Sequence, residues 1–255
     1  MARMDITSPF NPDTYPGKVV GLATSLGDHD SGLHEHQRGQ LLYARQGCIR
    51  VTAGEQVCML PPSRAVWIPG GVPHRAVMRK VVDYRSVWFD VELSGQLPAE
   101  VCVLEVGPLL EAILEPMALA GFDQDWTHAR FDHLIGLSIH EITEAPRQPM
   151  LLPMPRDRRL AAIAAQPDVL PPELNELAST VGATGKTIGR IFQRETGMTY
   201  QQWRQQWRVL RAVELLVIGQ PVSYASAELG FSSDSAFITF FKQMLGCTPG
   251  AYLKQ

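Results

Sequence analysis

The sequence lacks several features that define other classes of protein. Its 255 residues include only four cysteines, scattered without CxxC spacing, which argues against a disulfide framework or a cysteine-based zinc site. No apolar run approaches the roughly 18–20 residues that a membrane helix needs. Asp5 stands where an apolar signal core would lie, so we expect no secretory signal, no membrane partner and a cytoplasmic protein. With 45% hydrophobic and 19% charged residues, the chain has a globular composition.

The small net charge of −3 conceals an asymmetry along the chain. Residues 156–255 contain 11 Lys and Arg against 8 Asp and Glu, whereas residues 1–155 contain 12 against 18. Only the C-terminal part therefore has a net positive charge, which suits binding to a polyanion such as DNA.

The N-terminal part contains short β-favouring runs separated by Gly and Pro turns. Because no helix lies between these runs, they predict an antiparallel sandwich or barrel over residues 1–104. In DYRSVWFDV the sequence does not decide which face of the strand points inward. The runs are VVGLA (19–23), QLLYAR (40–45), CIRVTA (48–53), QVCML (56–60), RAVWIP (64–69) and YRSVWFDV (84–91).

In residues 105–148 the apolar residues recur at the spacing of a helix, which predicts a hairpin of two helices. Its apolar stripe must pack on the strands or on a second copy of the chain, so we expect a homodimer. The stripe comprises Leu109, Leu110, Ile113, Leu114 and Met117 in the first helix and Phe131, Leu134, Ile135, Ser138, Ile139 and Ile142 in the second. A proline-rich linker is predicted at 149–156, where Pro149, Pro153 and Pro155 lie.

Residues 157–255 predict helices and tight turns only. An apolar helix ends at Gly182, Thr184 can cap the next helix, and Ile188, Ile191 and Phe192 mark its inner face. A long helix over 200–219 has an apolar seam, and the same pattern then repeats. In the repeat, Ser223 can cap a short helix, and Ser232 or Ser233 can cap a final one that carries Phe237 and Phe241. Each repeat reads as a helix-turn-helix unit.

This segment resembles the DNA-binding domain of the AraC/XylS family of bacterial transcription regulators. The matching motifs are LAxxxG (177–182), RxF (190–192), ETG (195–197), RxxRAxxLL (208–216), LGFSSxSAFxxFFK (229–242) and GxTPxxY (246–252). The resemblance implies two helix-turn-helix units on a stiff helix, double-stranded DNA and RNA polymerase as partners, and activation of transcription. In such units the second helix enters the major groove.

The outward residues of each second helix are the candidate DNA contacts. Lys186 and Arg190 are the candidates for base or backbone reading, whereas the second unit, with Thr239 in place of the family's frequent Arg, is expected to position the protein on phosphates. The full set is Lys186, Thr187, Arg190, Gln193, Ser232, Ser233, Asp234, Ser235, Thr239 and Lys242.

Two N-terminal motifs resemble those of cupin barrels, which this family often uses as sensors. GLHEHQRGQLLYARQG (32–47) supplies His34, His36 and Gln40, and PGGVPH (69–74) supplies His74. Since residues two apart on a strand face the same side, His34 and His36 should both point into the barrel. Three imidazoles suit a divalent first-row metal such as Zn, Ni, Mn or Fe, although Gln40 replaces the usual carboxylate. Other histidines, including His29, are expected on the surface or on helices.

The predicted fold is therefore α+β, with a cupin-type barrel and an all-α DNA-binding domain. The predicted function is a DNA-binding regulator rather than an enzyme, controlled by a small molecule or metal in the barrel. Two alternatives stay open: a barrel that only dimerises, and a metal-dependent cupin enzyme joined to a DNA-binding tail.

Overall fold

The computed structural model describes residues 10–62, 64–81, 83–147, 150–166 and 169–253, so Asp5 and Pro149 lie outside the described residues. The chain divides into two compact units. The N-terminal unit contains the residues up to 54 and residues 60–151, and the C-terminal unit contains residues 55–59 and those from 152 onward. The first is built mainly of strands and the second mainly of helices, which confirms the predicted α+β class.

The strands of the described residues include all six predicted runs. Four further strands, β2, β7, β9 and β10, were not predicted. The strands are β1 (Val19–Thr24), β2 (Gly27–Asp30), β3 (Gly39–Ala44), β4 (Cys48–Ala53), β5 (Gln56–Leu60), β6 (Arg64–Ile68), β7 (His74–Val81), β8 (Tyr84–Phe89), β9 (Cys102–Glu105) and β10 (Leu151–Pro153).

Antiparallel pairing arranges the N-terminal strands in two sheets. In the first the order is β1-β8-β3-β6-β9, and in the second β7 lies between β4 and β2. The register places Gln40 opposite both Trp88 and Ile68. Strands β3 and β8 are buried along their whole length, so the first sheet is covered on both faces.

Three helices belong to the same unit: α1 (Val91–Ser94), α2 (Pro108–Ala118) and α3 (Ala129–Glu144). The predicted run 84–91 is too long, because β8 ends at Phe89 and the Asp90 carboxylate caps α1 by accepting from the Leu93 N–H at 2.9 Å. Strand β4 ends at Ala53, directly before a turn glycine, Gly54, which has a φ of +55°.

The α2–α3 hairpin packs on the first sheet of its own unit. Ile113, Leu114, Met117 and Ile142 share one core with strand residues such as Phe89. The predicted stripe needs one correction: Leu109 is 53% exposed, because it lies at the start of α2 on the side away from the sheet. The apolar stripe therefore packs within its own unit. It no longer supports the predicted homodimer.

The C-terminal unit contains β5, β10 and the remaining helices. Strands β5 and β10 pair, so the segment predicted as a linker at 149–156 includes an ordered strand. The backbone carbonyl of Pro153 in β10 also accepts a hydrogen bond from the Trp203 indole at 2.7 Å. The helices are α4 (Ala161–Ala165), α5 (Leu174–Thr180), α6 (Gly185–Thr196), α7 (Tyr200–Val217), α8 (Val222–Glu228), α9 (Asp234–Leu245) and α10 (Pro249–Tyr252).

Two expectations from composition concern the cysteines and the helix lengths. The four cysteines are free thiols; Cys48 and Cys58 are buried, and Cys102 and Cys247 are half-buried. Across the part of the chain that the structure describes, no helix is both long enough and apolar enough to cross a bilayer.

Candidate functional site

Three histidines from two distant segments meet inside the N-terminal unit. His34 forms an isolated antiparallel bridge with His74, in which each backbone N–H donates to the other carbonyl, at 3.0 and 2.8 Å. His36 follows two residues later, and the ring centroids of His36 and His74 are 4.8 Å apart. One ligand nitrogen from each ring lies within 4.8 Å of the other two. The structure thus brings together the three imidazoles that the sequence predicted as metal ligands.

The route to this arrangement differs from the predicted one. His34 and His36 were expected to face the same side of one regular strand, but His34 occupies an isolated bridge and His36 precedes β3, which begins at Gly39. A close approach of backbone segments fixes the second motif. A Cβ at Gly70 would lie 1.9 Å from the Gln37 carbonyl oxygen, and the Gly71 N–H donates to the His36 carbonyl at 2.8 Å. Glycine at position 70 therefore lets the His74 turn reach the His36 segment.

Backbone carbonyls hold all three imidazoles in one tautomer. The Nδ1 atoms of His34, His36 and His74 contact the carbonyl oxygens of residues 32, 38 and 72 at 3.0, 2.6 and 2.8 Å. Because a carbonyl oxygen only accepts, each Nδ1 carries the proton and each Nε2 keeps its lone pair. Metal-binding histidines commonly have this outer hydrogen bond, which fixes the ring for ligation.

Two of the three rings are buried and neutral at physiological pH. Burial lowers the pKa of His36, and burial lowers the pKa of His74 to about 4, with the neighbouring imidazoles adding to the effect. His34 is exposed, whereas His36 and His74 are only 4% and 1% exposed. Neutral imidazole is the form that binds a metal ion, so these rings need no deprotonation near pH 7.

The polar atoms around His36 and His74 are incompletely paired. The Nε2 of His74 is buried without a hydrogen-bond partner among the described residues. The Nε2 of His36 accepts from the Trp88 indole N–H at 3.1 Å, and the Gln40 Oε1 faces the same Nε2 at 3.2 Å, so two acceptor atoms point at each other. The Gln40 amide nitrogen donates to Ser86 Oγ at 2.9 Å. A buried acceptor without a donor is unfavourable, and a cation beside the Nε2 of His74 would satisfy it.

The histidines line a cavity of about 580 Å³ whose other lining residues include members of strands from both sheets. Leu22, Leu26, Leu42, Met78 and Trp88 supply apolar surface, and none of the described lining residues is Lys or Arg. Two ring-bearing residues of the lining were not predicted from the sequence. His29, expected on the surface, lines the cavity from β2; Phe10 packs against Trp88 with ring centroids 5.0 Å apart. Tyr84 and Trp88 face the cavity, which answers the question that the strand sequence left open.

The first helix-turn-helix unit of the C-terminal half forms as predicted. Gly182 adopts a φ of +63° between α5 and α6, and the Thr184 hydroxyl accepts from the Thr187 N–H at 3.1 Å. Ile188, Ile191 and Phe192 are buried on the inner side of α6. Lys186 and Arg190 are exposed on its outer side, as a helix that enters a groove requires.

Two other predicted contacts on α6 have local partners. The hydroxyl of half-buried Thr187 lies 3.0 Å from the Thr184 hydroxyl, and the Gln193 amide donates to the Gly197 carbonyl at 3.1 Å. Both side chains must give up or share these contacts to bind DNA. Lys186 and Arg190 are therefore the stronger candidates on this helix.

The second unit has the predicted cap at Ser233, whose hydroxyl accepts from the Ala236 N–H at 3.2 Å. The predicted cap at Ser223 is wrong, because α8 begins at Val222 after Pro221 and has no side-chain cap. The Thr239 hydroxyl donates to the Ser235 carbonyl at 2.9 Å, which reduces its availability to DNA. The exposed candidates on this unit are Ser232, Ser233, Asp234, Ser235, Thr239 and Lys242.

Helix α7 connects the two helix-turn-helix units and has the predicted buried seam. Trp203, Trp207, Leu210 and Val213 are buried along it. Its first turn is fixed by a capping box, in which Thr199 and Gln202 satisfy each other's backbone N–H. Because α7 is continuous and packed along its length, it can hold α6 and α9, the second helices of the two helix-turn-helix units, at a fixed distance and orientation.

Two family descriptions match the chain. Residues 177–255 match the helix-turn-helix domain, and residues 16–141 match the AraC-like ligand binding domain. Together with the fold, these matches define the class: a DNA-binding transcriptional regulator with an N-terminal ligand-binding domain.

Two named relatives are described as regulators. The HTH-type transcriptional regulator NimR of Escherichia coli is 30% identical over 99% of this chain and 93% of its own length. The regulatory protein ada of Salmonella typhimurium is 34% identical over 39% of this chain but only 29% of its own length. Fatty-acid-bound ToxT from Vibrio cholerae is a structural neighbour with 10% identity, a TM-score of 0.36, and coverage of 94% of this chain and 96% of that one.

The chain belongs to the AraC/XylS family of transcriptional regulators. As the sequence predicted, it is a regulator rather than an enzyme, and DNA is its partner.

Proposed function

We propose that this regulator activates transcription in response to a divalent first-row metal ion bound by His34, His36 and His74. The observation that supports the proposal is the shared tautomer within a close cluster: three Nδ1–H groups bond to backbone carbonyls and leave the Nε2 as the ligand atom of each ring, and one ligand nitrogen from each ring lies within 4.8 Å of the other two. The orphaned Nε2 of His74 is a second sign that a ligand is expected there.

The donor set fits Zn, Ni, Mn or Fe, all of which accept imidazole nitrogen. Metal–nitrogen distances of about 2.0–2.1 Å require the three nitrogens to approach more closely than their present 4.8 Å limit. The exposed His34 is the ring with room to move. Gln40 adds an amide oxygen on the same side but no charge, so the three histidines and Gln40 themselves leave the charge of a bound ion uncompensated.

On the DNA side, we propose that α6 and α9 enter the major groove of double-stranded DNA. Arg190 suits a guanine edge, which offers two acceptors, and Lys186 suits a base or a phosphate. The second unit binds phosphates through Ser232, Ser233 and Ser235, the first turn of α9 and Lys242. The negative charge of Asp234 disfavours a close phosphate contact at that position.

Control of transcription then follows from a population shift. Metal binding stabilises one arrangement of the His34–Gln40 segment, and the regulator state that contains it binds its operator with a different affinity. RNA polymerase is the proposed partner of the DNA-bound form, and a homodimer in the cytoplasm is the proposed working state.

Metal analysis of the purified full-length protein tests the proposal. We expect about one metal ion per chain, lost in the double variant His34→Ala/His36→Ala. The matched control is His133→Ala/His140→Ala, because both of these histidines lie exposed on α3 in the same unit.

Retention of metal by the first double variant would contradict the assignment. So would an absence of metal after incubation with each of the four candidate ions. The second result would favour the alternative that the N-terminal unit only dimerises.

A further inference from the structure

The cavity is much larger than a metal ion and its bound waters require. Its volume of about 580 Å³ lies within the roughly 300–1,000 Å³ that small organic ligands occupy. A metal held by three histidines keeps open coordination positions. The remaining space and the open positions lie in the same cavity, so a second ligand can occupy both.

The walls restrict the chemistry of that ligand. Besides the polar cluster, Leu22, Leu26, Leu42 and Met78 supply apolar surface to the cavity. The described lining residues include no Lys or Arg, and the Asp30 carboxylate is already paired with the Arg75 guanidinium. A free organic anion would find no cationic side chain here. The metal ion would be the one positive centre available to it within the described lining.

One donor lies beside the proposed metal. The Trp88 indole N–H donates to the Nε2 of His36 at 3.1 Å, and that Nε2 is the atom that must bind the metal. When the Nε2 lone pair goes to the metal, the indole N–H loses its acceptor. A buried donor without an acceptor is unfavourable, and an oxygen atom of a metal-bound ligand would restore the hydrogen bond.

We infer that the effector is a small organic chelator, with two oxygen atoms that bind the metal and an apolar body that fills the rest of the cavity. This inference rests on the proposed metal function. The metal anchors the head of the ligand, the Trp88 indole donates to one of its oxygens, and Leu26 and Met78 contact its body.

Hydroxamates are suitable probes because they bind metals through two oxygens. Benzohydroxamate has an apolar body, acetohydroxamate has only a methyl group, and benzamide has the same ring without the chelating head. Each is titrated into full-length protein loaded with Co²⁺, whose visible absorption reports changes in coordination. Metal content is measured first.

We expect benzohydroxamate to bind at least about ten-fold more tightly than acetohydroxamate, which corresponds to burial of the ring on apolar surface. Benzamide should leave the spectrum unchanged. Trp88→Phe keeps an aromatic ring, though a smaller one, and removes the indole N–H, so it should weaken both hydroxamates about ten-fold, the value of one hydrogen bond. Leu26→Ser, at a half-buried position, should weaken benzohydroxamate alone.

The outcomes separate the two proposals. A chain that binds no metal overturns both, and the metal analysis shows this before any probe is added. A chain that binds metal but prefers acetohydroxamate, or responds equally to benzamide, overturns the chelator inference and leaves the metal proposal standing. Equal affinities in wild type, Trp88→Phe and Leu26→Ser would also overturn it.

Discussion

The two candidate sites of this protein are built in opposite ways. The DNA-facing surface consists of exposed residues close together in sequence, such as Lys186 and Arg190 on one helix. The histidine cavity consists of largely buried residues far apart in sequence, since strands β3 to β6 all lie between His36 and His74. The first site depends on local helix geometry, and the second depends on the topology of the whole unit.

This difference predicts how each site responds to damage. A surface helix keeps its position as long as its inner face remains packed. The histidine cavity is a converging site, which means that its residues come from backbone segments far apart in sequence. Any change in the segments that meet there disturbs it. The substitutions below test this contrast, from the largest expected effect to the smallest.

Phe192→Ala should have the largest effect. Phe192 is fully buried and packs against Tyr200 and Trp203, with ring centroids 4.9 and 5.2 Å away. Loss of the ring should lower the free energy of unfolding by about 3–5 kcal/mol and weaken DNA binding with it. Chemical denaturation measures the first quantity. An unchanged stability would show that α6 does not rest on this core.

Gly70→Ala tests the converging site. The added Cβ meets the Gln37 carbonyl, so the backbone must shift, at a cost of about 1–3 kcal/mol and with weaker metal binding. The same change at Gly136 is the control. That position lies in α3 with no atom near the new Cβ, so Gly136→Ala should raise stability by about 0.5–1 kcal/mol. Equal effects of the two substitutions would contradict the close-approach argument.

Arg190→Ala tests base reading by the first unit. Loss of an arginine bound to a guanine should weaken specific binding by about 1–3 kcal/mol and relax the base preference at one position. The binding site is first selected from random duplexes with the full-length protein, and affinity is measured at fixed salt. Arg130→Ala, an exposed arginine on α3, is the control. Equal affinities in wild type and Arg190→Ala would remove Arg190 from the interface.

Cap substitutions should have the smallest effects and test the helix boundaries. Thr184→Ala removes an observed cap and should cost about 1 kcal/mol of stability. Ser223→Ala should cost almost nothing, because Ser223 is exposed and caps no helix. A larger loss at Ser223 than at Thr184 would mean that α8 begins where the sequence suggested.

The helical unit could be predicted closely from sequence, because its signals are local. Thr184, Gly182 and Ser233 are found where the caps and turns were expected. The start of α8 was misplaced because serine is a favourable N-cap residue and Ser223 is close to the true start. In the structure the N-cap residue is Pro221, which makes no side-chain cap hydrogen bond.

The cavity could be predicted only in part. The motifs correctly named His34, His36 and His74, but β2 and β7 were missed because GDHD is polar and HRAVMRKV is half-exposed. Their structure comes from pairing with other strands: β2 pairs with β7, and β7 also pairs with β4. The inward face of β8 was undecidable because every residue from Tyr84 to Phe89 is buried: one face meets the cavity and the other meets the core under the hairpin.

The most direct test of this account is the affinity of the full-length protein for its selected DNA site with and without bound metal. If the histidine cluster controls DNA binding, stoichiometric metal should change the affinity at least about five-fold in the wild type. The change should be absent in His34→Ala/His36→Ala and present in His133→Ala/His140→Ala. Equal DNA affinity of the metal-free and metal-bound wild type would contradict the account.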